Sequence, residues 1–325
     1  HDFFETSDNQ FGFKKKLGCS HAVYSVKCVI CSFTKNGSTV KICALDLKKA
    51  YDTLNRHGLY VKLMERMLPV KLLCVLEYWF DICVTCIRYG EHMSSFFKLQ
   101  CGIRQGGILS PYLFAVYIDD IIDLIGKSNF GCYIGYNYVN IFLYADDILL
   151  LAPSIEALQF MLTLCEQHLA NLDMALNANK SVCLRIGPRF DSECGELLTS
   201  GGEPLQWVTC CRYLGIVLVA ARQFKCCFDN NKRSFYRSFN AIMGKVGRCA
   251  SEEVVLKLIC VKCLPILFYG VEVCSLTVSD KRSFDFVLTR TLMKVFKTGS
   301  IDIINECQSM FGVSKASDTL VTRKC

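Results

Sequence analysis

Histidine is scarce in this 325-residue chain: only His1, His21, His57, His92 and His168 occur, and none lies at zinc-finger spacing from a cysteine pair. Cys28/Cys31, Cys83/Cys86 and Cys260/Cys263 have ligand-like spacing, but each sits in apolar surroundings without turn glycines. The 22 cysteines are therefore expected to be buried free thiols in an intracellular, reducing compartment, nucleus or cytoplasm unspecified. There is no initiating Met and no basic-then-apolar leader, so a fragment is expected. No run of apolar residues is long enough and clean enough to span a bilayer. Leu258 to Val278 comes nearest, but Lys262, Pro265 and Glu272 interrupt it, so it reads as a buried helix and strand and no membrane partner is expected. No repeat or low-complexity linker appears.

The composition is that of a globular chain with a large core, 52% hydrophobic, one large or two ordinary domains long. The formal charge of +7 is unevenly spread. From Arg212 to Lys297 there are fifteen basic residues, Arg248 among them, against six acidic ones, a net +9. Aromatics interleave there, as in Lys232-Arg233-Ser234-Phe235-Tyr236-Arg237, which suits either a phosphate-contacting surface or a solvated helical face.

Tyr144-Ala145-Asp146-Asp147 stands between apolar residues Ile141–Leu143 and Ile148–Leu151. Asp suits turns rather than strand interiors, so the run predicts two short strands meeting at an acidic hairpin tip. Two anions there call for a cation, and Mg²⁺, which takes hard oxygens, would want a further carboxylate. Val40 to Leu47 predicts a strand with Asp46 near its end, followed by Asp52. After Asn55 an amphipathic helix is expected, with Leu59, Leu63, Met64 and Met67 on one face and Pro69 closing it. Arg104-Gln105-Gly106-Gly107 leads into a helix that Ser110 could cap and Gly126 would end; Leu113, Val116, Tyr117 and Ile121 form its apolar face, and Asp119, Asp120 and Asp123 read as solvent or capping acids. Within Ile155 to Leu176, Leu158, Met161, Leu162, Cys165 and Leu169 predict another packed helix.

The succession Ala44-Leu45-Asp46-Leu47-Lys48-Lys49-Ala50-Tyr51-Asp52, Arg104 to Pro111, and Tyr144 to Asp147 resembles the reverse transcriptases of non-LTR, LINE-type retrotransposons. Gln10-Phe11-Gly12-Phe13-Lys14, Leu176-Asn177-Ala178-Asn179-Lys180 and Tyr213-Leu214-Gly215 extend the likeness over about residues 10 to 220. The resemblance implies an α+β right-hand polymerase: partial fingers (1–39), a palm with a small antiparallel sheet and packed helices (40–220), and a helical thumb (221–325). It implies an RNA-directed DNA polymerase that extends a primer 3′-hydroxyl with dNTPs, using two Mg²⁺ ions, Mn²⁺ being the alternative. Asp46, Asp146, Asp147 and the Leu47 carbonyl would be the metal ligands, and Lys180 would protonate the leaving pyrophosphate. Tyr51 would exclude ribonucleotides, Ala50 would leave room beside the sugar, and Gln105 and Gly106 would touch nucleotide or template. Tyr213, Leu214 and Gly215 would form the primer grip. Partners would be an RNA template, a DNA primer and dNTPs. Three readings stay open beside it: an impaired retroelement remnant that binds nucleic acid, an RNA-templated RNA polymerase and a zinc module.

Overall fold

The computed structural model describes residues 2–247 and 249–322. His1, Arg248 and residues 323–325 lie outside them, so one of the fifteen basic residues and the outer ends of two expected segments do too. By packing, the chain forms two units: one runs to Cys211 and takes back Ala220–Gln223, and the other is Arg212–Val219 with the described residues from Phe224 onward.

The first unit is built on a sheet of six strands in the order Leu197–Leu198, Pro204–Trp207, Val182–Ile186, Val40–Leu45, Asp147–Ala152 and Ile141–Tyr144. Every neighbouring pair is antiparallel except Val182–Ile186 with Pro204–Trp207. Both flanking strands of Val40–Leu45 are hydrogen-bonded to it, which makes it the middle of the sheet and explains its near-continuous apolar sequence. Helices Cys19–Lys35 and Ile155–Asn171 pack on these strands. All five residues that predicted the second helix are buried, and Ser154 caps it by accepting from Ala157 N at 3.1 Å.

Three expectations about the first unit need correction. In helix Arg56–Glu65, Leu59 and Leu63 are buried, but Met64, still within the helix, is on its outer side at 49% exposed, and Met67, past the helix end with a left-handed φ of 59°, is 79% exposed. The helix entered at Ser110 does not run unbroken to Gly126. It is interrupted at Asp119, which keeps a helical φ of -57° and ψ of -36° while Ile122 N donates to its carbonyl at 3.0 Å in a tighter turn; the residue is buried, and its carboxylate accepts from Arg66 Nη2 at 3.1 Å and Ser7 N at 3.0 Å. Ser110 is the first helical residue rather than its cap, and its hydroxyl turns back to donate to the Arg104 carbonyl at 2.6 Å.

In the second unit, Cys210–Tyr213 leads into the three-stranded sheet with Ile216–Val219 and Lys225–Cys227, and helices Asp229–Val246, Glu252–Leu258, Val278–Phe296 and Ile301–Met310 follow. Phe235 and Phe239 of the basic stretch are buried core, whereas Arg233 and Arg237, one turn apart, are exposed. Cys226 and Cys274 form a disulfide, against the free-thiol expectation. Cys28 is exposed, and of the three spaced pairs only Cys263 is buried. After Leu267 the chain turns instead of forming the expected strand. Among the described residues no helix is long and apolar enough to cross a membrane.

Candidate active site

The hairpin tip forms as its sequence requires. Tyr144 and Asp147 are paired across a two-residue turn, Ala145-Asp146. Ala145 is buried with a φ of 55°, a left-handed conformation costing about 1–2 kcal/mol outside glycine. What holds it comes from the far end of the sequence. Gln10 is fully buried, and its Oε1 accepts from Ala145 N at 3.1 Å and from Gly12 N at 3.0 Å. Residues 9–11 add to the hairpin edge, Phe11 N donating to Leu143 O at 2.8 Å and Leu143 N to Asn9 O at 2.9 Å. The segment approaches so closely that a Cβ on Gly12 would lie 2.6 Å from Ala145 N, so only glycine fits.

Asp46 emerges from the middle strand beside the strand that begins at Asp147. Its backbone is clamped: Asp46 N donates to Ser181 Oγ at 3.0 Å and Asp46 O accepts from Asn177 N at 2.8 Å. Asn177 Nδ2 also reaches the Asp46 carboxylate, 3.1 Å from Oδ2, and Lys180 Nζ lies 4.0 Å from the same oxygen. The Leu47–Leu176 bridge bonds Lys48 N to Ala175 O and Asn177 N to Asp46 O, leaving the Leu47 carbonyl outside that pairing.

Asp146 and Asp147 sense the charges beside them. The Asp147 carboxyl is pushed up to about 6, first by loss of solvent on its inner side, although the residue is open outward, then by the charges of Asp146 and Asp46. Asp146 is raised by the same desolvation and, less, by Asp46. Hard carboxylate oxygens that disfavour their own charged forms are a donor set that a divalent cation fits. Among the described residues no group of three or more His, Cys, Asp or Glu side chains is placed to hold a metal ion by itself, the three acids included. Mg²⁺ needs no such group, since it keeps waters and substrate oxygens beside one or two protein carboxylates.

Tyr51 stacks on Phe114 with ring centroids 4.7 Å apart, and its hydroxyl is pushed up to about 12 by burial and then by the charge of Asp146. Ala50 is buried one residue earlier. Gln105 and Gly106 lie exposed on the loop, Gly106 with a φ of 81° and open space around it. That loop is tied to the Tyr51 turn through Ile103 N to Tyr51 O at 2.8 Å, and Arg56 grips its start through the Gly102 and Leu99 carbonyls at 2.9 and 2.7 Å. Tyr213, Leu214 and Gly215 belong to the second unit. Leu214 and Gly215 make the turn there with φ of 47° and 82°, and Tyr269 Oη donates to Leu214 O at 2.9 Å.

Gln10, Asn177 and Ser181 were not singled out from the sequence as site residues. The signal for Gln10 was its place in Gln10-Phe11-Gly12-Phe13, and for Asn177 its place three residues before Lys180.

An acid-tipped hairpin beside an acid-ended central strand, backed by helices, is the palm of a template-directed polymerase fold. Residues 3–218 match the family described as "Reverse transcriptase (RNA-dependent DNA polymerase)", and the chain belongs to that family. Among curated relatives, it is 26% identical over 228 residues to the Pol polyprotein of the retrotransposable element R2DM of Drosophila melanogaster, covering 67% of this chain and 21% of that protein. It is 24% identical over 276 residues to the RNA-directed DNA polymerase from the mobile element jockey of the same organism, covering 81% of this chain and 29% of the other. These are non-LTR retrotransposon polymerases, in line with the resemblance read from the motifs. The fold is similar to that of telomerase from Candida albicans, with a TM-score of 0.51 at 13% identity, over 94% of this chain and 54% of that one.

Proposed function

We propose that the chain is the polymerase part of an RNA-directed DNA polymerase, extending a DNA primer with dNTPs along an RNA template. The observation that carries it is the Asp46, Asp146 and Asp147 cluster on two adjacent strands, with a family match across both. Because the chain spans 21% and 29% of the two relatives above, the activity of the whole protein rests on experiment rather than on their names.

Asp46 and Asp146 would hold two divalent ions, with the Leu47 carbonyl as a further oxygen ligand and Asp147 assisting more loosely. Bound there, Mg²⁺ or Mn²⁺ would supply charge stabilisation at the attacking and leaving oxygens. Asn177 orients the Asp46 carboxylate, and Gln10 sets the turn that aims Asp146. Lys180, exposed and within 4.0 Å of Asp46, can give a proton to departing pyrophosphate. Tyr51, braced by Phe114, can close the space beside the sugar 2′-carbon, with Ala50 leaving room next to it. Gln105 and Gly106 present an open backbone to nucleotide or template. We assign residues 1–39 to partial fingers, 40–220 to the palm and 221–325 to a thumb, with Tyr213 to Gly215 as the primer grip. Arg233 and Arg237 would contact duplex phosphates.

The test is primer extension on an RNA template with Mg²⁺, comparing the chain with Asp146→Ala. Incorporation should fall by about 10²–10³; unchanged incorporation removes the proposal. A protein that binds duplex in a salt-dependent way but incorporates nothing, before or after the substitution, is the impaired remnant.

A further inference from the structure

Lys41 lies on the strand that ends at the catalytic acids, but near its other end. The five residues to Asp46, at about 3.3 Å each, put about 16 Å between them. Around Lys41 a cleft of about 290 Å³ opens, lined also by Arg185, Arg189, Glu156 and Glu193. Lys41 and Arg185 are held in place before any ligand arrives. Lys41 Nζ donates to the Pro153 carbonyl at 2.8 Å, and Arg185 stacks on Trp207 at 5.3 Å while donating to the Ser192 carbonyl. Each keeps donors to spare, two on the ammonium and four on the guanidinium by the inventory of N–H groups. Among the described residues neither glutamate lies within ion-pair distance, 4.0 Å, of the three cations. Lys41 is held below its ordinary value, chiefly by burial, with Arg189 and Arg185 adding to it and Cys194 and Glu156 opposing.

We infer that this cleft is a second ligand site, which binds a phosphate group through Lys41, Arg185 and Arg189 at the end of the palm sheet remote from the acids. Three converging cations with unused N–H donors match the oxygens of a phosphate, and the fork of Arg189 is the part free to close on it. The glutamates at the rim favour a single phosphate over an extended polyanion lying flat. The phosphate can be free or part of a nucleic-acid backbone. Neither case requires the chain to polymerise, so the inference stands apart from the proposed activity.

The test uses Trp207, next to Arg185, as reporter in a chain carrying Trp79→Phe, which removes the other tryptophan. Titrated with inorganic phosphate at constant ionic strength, its fluorescence should change saturably. Arg189→Gln and Lys41→Gln should each weaken the midpoint about tenfold, the worth of one charged hydrogen bond, and Arg189→Lys should weaken it less. Asp146→Ala should leave it in place. Arg189 is exposed, so that variant should keep its fold, and thermal melting checks it. A second arm measures fluorescence anisotropy of a labelled single-stranded RNA. Binding weakened by Arg189→Gln and competed by phosphate identifies the backbone as the source, and phosphate binding without RNA competition identifies the free anion. A response that chloride reproduces, or one that neither Arg189→Gln nor Lys41→Gln alters, overturns the inference.

Discussion

Two hairpins in this molecule have the same outline and opposite means. Each follows a tyrosine, turns over two residues and places a non-glycine residue at a left-handed φ, 55° at Ala145 and 47° at Leu214. At Leu214 the turn is largely local: Gly215 takes the second left-handed position, φ 82°, and both positive angles match the twist of the strands they join. At Ala145 the second turn residue is Asp146, which is there for its carboxylate, and the conformation is maintained by Gln10 and the close approach of Gly12 from 135 residues away. A turn that only has to reverse the chain can be written in its own residues. One that must present a charge gives up its best residue and borrows support from elsewhere.

The largest expected effect is from Gly12→Ala. The new Cβ would sit 2.6 Å from Ala145 N, a backbone atom that no rotamer change can move aside. The chain should lose about 4 kcal/mol or more of stability by denaturant titration, and primer extension with it. A variant as stable and active as the parent would break the contrast between the hairpins.

Gln10→Ala comes next. It leaves the Ala145 and Gly12 amides buried without their acceptor, which should cost about 2–4 kcal/mol. The surviving folded protein should need more Mg²⁺ for half-maximal incorporation, because Asp146 is no longer held. Gly215→Ala is smaller, about 1–2 kcal/mol from the left-handed φ, with the Tyr269 ring yielding at the edge. Its Mg²⁺ requirement should not move. If it shifted as far as that of Gln10→Ala, the two turns would share a role that their geometry keeps apart.

The smallest effect concerns pH. The folded state holds a proton on Asp147 up to about 6, above its ordinary value of 3.8, so the protonated form is favoured by folding. Without divalent metal, melting temperature should therefore fall as pH rises across that window and then level, and Mg²⁺ should restore more of it at the upper end. Asp147→Asn should flatten the metal-free profile; a profile equally steep in both proteins would show that other groups set it.

The elements that carry the acids were legible in the sequence because their signals are local. An apolar strand ending in Asp46, a paired acid between two apolar runs and a helix with buried residues at 158, 161, 162, 165 and 169 all announce themselves within a dozen residues. What escaped was set at a distance. Asp119 reads as a solvent or capping acid, and only Arg66 and Ser7, on other elements, reveal why it is buried instead. Met67 fits a helical face that ends before reaching it, at Glu65, and Met64 sits at the open edge of that face. The Cys226–Cys274 pairing spans 48 residues with no motif to mark it. In the candidate site, the sequence singles out Asp46 and Asp146 as proposed ligands, while Asn177 and Ser181, which bond Asp46, and Gln10, which bonds the turn at Ala145, stand in it only as neighbours within longer motifs.

The chain leaves the first unit at Cys211, returns at Ala220 and departs again after Gln223. On its return it is bonded in on both sides, Ala220 N to Thr209 O at 2.8 Å and Gly187 N to Ala221 O at 2.9 Å. The border between the two units is therefore not a point on the polypeptide, and no single cut can part them. The first unit excised at residue 211 would leave behind four residues of its own, and one excised after 223 would carry away a hairpin that belongs to the second. Insertion, exchange or proteolysis can respect this boundary only by acting at three places at once.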